Sequence, residues 1–124
     1  MAGVVIGVDP HKGSHTAVAL SEAETMLGQV RVSARGDQLD QLRRWAQDWP
    51  DRTWAVEGAR GLGQFLAQQL LGAGEHVVDV QPKLAARVRL LNTGQVNKND
   101  PNDARSVAIA ALRAPSAERV KIIV

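Results

Sequence analysis

The chain contains no cysteine and no tyrosine, and its aromatic residues stop at three tryptophans and one phenylalanine. Without cysteine there is neither a disulfide framework nor a thiolate metal site. No apolar run approaches the roughly 20 residues that a membrane-spanning helix needs. The first residues, from Met1 to Val8, carry no basic leader and run directly into Asp9, which is unlike a secretory signal. A cytoplasmic protein with no membrane partner is expected. Strong charge of one sign is also missing. The 15 basic and 13 acidic side chains leave a net charge of +2, which permits nucleic-acid binding without demanding it. Aliphatic residues are abundant. Hydrophobic residues make up 44% of 124 positions, a globular composition with material for one domain and one sizeable core.

The hydrophobic period changes along the chain. Val4-Val5-Ile6-Gly7-Val8 is a continuous run that suits a central strand buried on both faces. His15 to Leu20 reads as a second strand, and Ser21-Glu22-Ala23-Glu24 as a turn. Val30 and Val32 alternate with Arg31 and Ser33, as in a half-exposed third strand, so these three strands form an antiparallel meander. Helical spacing begins after Asp37, a candidate N-cap, with Leu39, Leu42, Trp45, Ala46 and Trp49, and Pro50 stops it. Thr53 to Val56 is a short strand ending at Glu57. Leu62, Phe65, Leu66 and Leu70 form a helical stripe, closed by Gly72 and Gly74. His76 to Val80 is a fifth strand, and Pro82 and Pro101 open two further helices. The Asn92–Asn99 stretch is the best candidate for a mobile loop. The order β-β-β-α-β-α-β-α-α predicts an α/β fold, a mixed five-stranded sheet with helices on its faces.

Four carboxylates stand where this pattern does not need them. Asp9 ends an otherwise apolar strand, and Glu57 ends the fourth strand before a glycine-rich turn. Asp100 precedes Pro101, and Asp103 follows one helical turn later on the same face. Taken singly, each has an ordinary explanation as a turn residue, an N-cap or a first-turn acid facing the helix dipole. Taken together, they converge if the first and fourth strands are neighbours, because open α/β sheets bind ligands at their carboxyl ends. Two carboxylates about 4 Å apart repel by roughly 1 kcal/mol in water and about 4 kcal/mol at an effective dielectric of 20. Four together would raise one another's pKa values or need cations, and an oxygen-only donor set with no cysteine and no clustered histidine favours Mg²⁺ or Mn²⁺. Two such ions stabilise the attacking and leaving oxygens of a phosphodiester displacement.

Gly7-Val8-Asp9-Pro10-His11-Lys12, Val56-Glu57-Gly58-Ala59 and Lys98-Asn99-Asp100-Pro101-Asn102-Asp103-Ala104-Arg105 resemble the DEDD transposases of the IS110 family, as do Gln81-Pro82-Lys83 and Asn92. The resemblance runs from Val4 to about Leu112, and the last motif is the most specific. It implies a ribonuclease-H-like (RuvC-like) domain in which Asp9, Glu57, Asp100 and Asp103 are the catalytic, metal-binding acids. It further implies insertion and excision of a mobile DNA element, guidance by a structured RNA in at least part of the family, and work as a homo-oligomer. Members continue into a second domain with a catalytic serine, for which 124 residues leave no room. Ser14, Ser21, Ser33, Ser106 and Ser116 match no motif of that domain. The expectation is therefore a single truncated N-terminal domain over residues 1–124.

Lys12, Arg60, Lys98 and Arg105 flank the acids in sequence and are candidates to hold a phosphate. Lys83 and Arg87, with Arg89, make a basic helix flank suited to DNA or RNA, or simply a solvated face. His11 offers a metal ligand or proton shuttle beside Asp9, the alternative being a surface turn histidine. Trp45 and Trp49, four residues apart, read as packing rather than as base-stacking groups. Other readings remain: a RuvC-like junction resolvase, which needs the same acids, and a non-catalytic fragment that binds nucleic acid or a partner. An actin-like or sugar-kinase ATPase lobe shares the opening hairpin. The close pair Asp100 and Asp103 argues against it.

Overall fold

The computed structural model describes residues 3–93 and 100–113, with side chains at all of these except 89, 91–93 and 100–102. The expected element order is observed. Strands β1 (Val4–Pro10), β2 (Ser14–Leu20) and β3 (Met26–Ser33) are followed by helix α1 (Gln38–Trp45), which one turn of 3-10 helix, Ala46–Asp48, extends. Then come β4 (Arg52–Glu57), α2 (Gln64–Gly72), β5 (His76–Val80), α3 (Pro82–Thr93) and α4 (Asp100–Arg113). The sheet order is β3-β2-β1-β4-β5. β1, β2 and β3 pair antiparallel, while β4 joins β1 and β5 in parallel. The apolar runs of β1 and β2 therefore take the middle of the sheet, where both faces are covered.

Two cores result from the strict alternation of side chains. On one face Ile6, Val8, Trp54 and Val56 pack with Leu42 of α1 and with Leu66 and Leu70 of α2. On the other, Val5, Val18, Ala55 and Val80 pack with Ala85 of α3 and with Val107, Ala108 and Ala111 of α4. Each fully buried Val, Leu or Ile contributes about 1.5–3 kcal/mol. The small residues of α4 let it lie close on β1. A Cβ at Gly7 would come within 2.6 Å of the Ala108 backbone nitrogen, and it would also strike the Ala104 carbonyl oxygen. Gly7→Ala is expected to push α4 off the sheet and to cost about 2–3 kcal/mol, as overpacking does. Urea denaturation measures this, and an unchanged midpoint would show that α4 does not rest on Gly7.

Three local expectations change. Asp37 stands at the N-cap position of α1, but its side chain makes no cap hydrogen bond and accepts instead from Gln41 Nε2 at 2.8 Å. Leu62 and Phe65 were expected on a buried stripe, yet they are 60% and 64% exposed. The helix begins only at Gln64, so Leu62 lies in the preceding turn, and Leu66, Ala67 and Leu70 form the buried face instead. Asn92 and Thr93 belong to α3 rather than to a loop, and residues 94–99 lie outside the described residues, as does the 120–124 segment.

A polar cluster closes the amino end of the sheet. Glu75, just before β5, accepts from Arg52 Nε at 3.0 Å and Nη2 at 2.8 Å, from Trp54 Nε1 at 2.7 Å and from Arg43 Nε at 3.1 Å. Trp45 and Trp49 pack edge to face, with ring centroids 5.0 Å apart, and lean on the core beside Gly28. Packing, not base stacking, is thus the role of all three tryptophans. Among the described residues no helix is long and apolar enough to cross a membrane.

Candidate active site

The register of two parallel strands does most to place the acids. Val8 stands beside Val56, so Asp9 and Glu57 occupy the next positions at the carboxyl ends of adjacent strands. Gly7 faces α4 and Ala55 lies in the same core, so by alternation Asp9 and Glu57 also project on the α4 side. Asp9 is only 5% exposed, and one carboxylate oxygen of Glu57 is buried. Thr16 is the cross-strand partner of Asp9 on β2. It is buried on the same face, and its hydroxyl has no hydrogen-bond partner among the described residues.

The direction of α4 brings in the second pair. Ala104 and Ala108 sit over Gly7, and Arg113 at the far end makes a two-pronged contact with Glu24 in the β2–β3 turn, with both N–O distances 2.6 Å. The helix therefore runs antiparallel to β1, and its N-terminal turn points toward Asp9. Asp103, half-buried, lies in that turn. Asp100 is the first residue of α4, three positions earlier, but its side chain is outside the described ones. Asp9, Glu57 and the N-terminal turn of α4 that carries Asp103 thus share one end and one face of the sheet. Among the described residues, no three acidic or imidazole side chains already form a closed metal cluster. The carboxylates supply oxygen donors, and the positive end of the α4 dipole faces them.

His11 is half-exposed and donates from Nε2 to Asp9 Oδ2 at 2.9 Å, which ties the β1–β2 turn to the carboxylate. The turn after β4 is held by Gly58 N–H on the Val80 carbonyl at 3.0 Å and by Ala59 N–H on Asp79 Oδ1 at 2.9 Å. Asp79 was legible only as a strand residue. Its part in seating the Glu57 turn follows from the pairing of Val56 with Asp79. The basic candidates separate. Lys12 and Arg60 are exposed at this end of the sheet, and Lys83 is exposed in the first turn of α3, which starts beside it. Arg87 is exposed one turn farther along α3. Arg105 sits two turns before Arg113 on one stripe of α4, and its charge reaches Glu24, so it is not tied to the acids alone. Lys98 lies outside the described residues.

On the opposite face, His15 donates from Nε2 to Gln38 Oε1 at 2.8 Å, and Gln38 Nε2 donates to Gln69 Oε1 at 2.6 Å. Burial pushes His15 below its usual 6.5, the bond to Gln38 pulls it up, and the nearby His11 lowers it further; the net shift is down. Below pH 6.5 the unfolded chain takes up a proton that folded His15 resists. Stability is therefore expected to fall as pH drops below that value, over a window ending at the lowered folded-state pKa. Chemical denaturation across this range reads the slope, which His15→Gln should flatten. The same slope in that variant would assign the dependence to another group.

A family model described as a transposase, of the DEDD type of the IS110 group, matches residues 6–122. No curated protein matches in sequence. Among solved structures, the chain is similar to Thermus thermophilus RuvC in complex with a Holliday junction substrate, at 15% identity and a TM-score of 0.63. That match covers 87% of this chain and 91% of RuvC. A second T. thermophilus RuvC structure matches at 16% identity and a TM-score of 0.58, covering 87% and 92%. The expected RuvC-like fold is the fold observed.

Proposed function

Because the chain belongs to the DEDD transposase family of the IS110 type, we propose that its acids cut and join DNA strands by metal-dependent phosphoryl transfer. The observation that carries this reading is the placement of Asp9 and Glu57 side by side in register, beneath the N-terminal turn of α4. Asp9, Glu57, Asp100 and Asp103 would hold Mg²⁺ or Mn²⁺, since hard oxygen donors on a half-buried face suit these ions. When bound, such ions supply a nucleophile near neutral pH and charge stabilisation for the attacking and leaving oxygens. The chain's own residues do the rest. His11 orients the Asp9 carboxylate, and the buried Thr16 hydroxyl offers a hydrogen bond beside it. Lys12, Arg60 and Lys83 border the same end and would bind phosphates, with Arg87, Lys98 and Arg105 as further backbone contacts. A structured guide RNA and homo-oligomeric assembly belong to this reading through the family. So does the RuvC–junction complex, since it shares the fold.

Calorimetric titration of Mn²⁺ into the chain tests the reading, beside an Asp9→Asn, Asp103→Asn double variant. Saturable binding that the variant loses is expected. A folded wild-type chain that shows no saturable binding would sink the four-acid assignment.

A further inference from the structure

Phe65 is the one aromatic side chain that the core does not use. Trp54 is fully buried, and Trp45 and Trp49 pack on the core, whereas Phe65 stands 64% exposed with Leu62 beside it at 60%. Both line a cleft of about 300 Å³ together with His11 and Lys12 of the β1–β2 turn. Arg35 completes the rim, and His15 and Gln38 line the interior. Its charged lining residues, Lys12 and Arg35, are cations, and neither forms an ion pair among the described residues. Among the described residues no carboxylate lines it. Inside, His15 is only 5% exposed. Its Nε2 is spent on Gln38, while its Nδ1 has no hydrogen-bond partner among the described residues. The cleft also reaches the turn that follows Asp9. His11 lines it and bonds Asp9 at 2.9 Å, and the start of α2 is seated on Pro10, which a Cβ at Gly63 would approach to 2.9 Å.

Exposed aromatic surface, an anion-attracting rim and an unspent polar atom within suit a planar ring with a polar edge and a phosphate attached. We propose that this cleft takes one unstacked base of a single-stranded stretch of nucleic acid. The base lies against Phe65 and Leu62, and its flanking phosphates meet Lys12 and Arg35. The strand would then cross the carboxyl end of the sheet, with a neighbouring phosphate on the α4 side at Asp9. This rests on the phosphoryl-transfer reading for its location, although the binding itself does not require that chemistry.

The test uses a single-stranded oligodeoxynucleotide carrying 2-aminopurine, titrated without divalent metal into the chain. Quenching of the 2-aminopurine is expected on binding. Phe65→Ala should abolish the quench and weaken binding about ten- to a hundredfold, as loss of a stacking platform does, while Phe65→Trp preserves both. Because no divalent metal is present, failure of the metal chemistry does not register in this titration. Thermal melting confirms folding of each variant, which the exposure of Phe65 makes secure. Equal affinity of Phe65→Ala and wild type overturns the proposal. So does the absence of quench in wild type. Loss of self-association in Phe65→Ala, with nucleic-acid affinity intact, would also overturn it by assigning the patch to a second copy of this chain.

Discussion

An Asp9→Asn variant is expected to lose Mn²⁺-dependent nicking of supercoiled DNA by about a thousandfold or more, while keeping the wild-type fold. Divalent ions supply several kcal/mol of charge stabilisation in phosphodiester displacement, and each 1.36 kcal/mol is a factor of ten in rate. The substitution is nearly isosteric, but it removes the charge that a cation needs. Asp9 is 5% exposed and receives a hydrogen bond from His11, so the amide can keep the packing. Glu57→Gln should behave alike, because it occupies the adjacent position in register. His11→Ala should cost far less, since it acts through Asp9. Nicking by Asp9→Asn at the wild-type rate, with the same dependence on Mn²⁺, would remove Asp9 from the chemistry.

The largest effect on stability is expected at the other end of the sheet. Glu75→Ala leaves the guanidinium of Arg52, whose side chain is 12% exposed, without its carboxylate. Breaking such a buried pair costs about 3–5 kcal/mol, which lowers the Tm of a domain this size by roughly 10–20 °C. Trp54 Nε1 also loses its acceptor. The sign of the pH dependence follows from the same contacts. Burial pushes the Glu75 carboxyl up, but hydrogen bonds from Arg52, Trp54 and Arg43 outweigh it, and the net shift is below 4.5. A depressed pKa means that the unfolded chain binds the proton first. The stabilisation is therefore full above pH 4.5 and is lost as pH falls through the folded-state value. Calorimetric melting of wild type and variant at neutral pH and near pH 3 checks both points: the gap between them should narrow in acid. Mn²⁺ affinity, measured well below either melting temperature, should not change. A Tm shift of only a degree or two would mean that water already compensates Arg52.

The element order was legible because burial imposes period. β1 reads as an unbroken apolar run and β2 ends in one from Ala17 to Leu20, since both of their faces are covered, and α4 shows its sheet-facing stripe of Ala104, Val107, Ala108 and Ala111. Asp9 and Glu57 were legible as acids that a buried strand end does not need. What sequence periodicity could not show was which side of α2 meets the core. Leu62 and Phe65 share a spacing with Leu66 and Leu70, but only the point where the turn releases the helix, at Gln64, decides that they face outward. The bonds of His11 to Asp9 and of Ala59 to Asp79 were equally silent, because each depends on where a turn folds back. The sequence by itself determined the strands, the helices and the four acids, through alternation, helical spacing and turn residues. Only the tertiary structure decided that Asp9 and Glu57 stand in register and that α4 turns its N-terminus toward them. Strand order and helix direction depend on contacts between distant segments, such as α4 resting on the bare backbone at Gly7, and local pattern does not encode those.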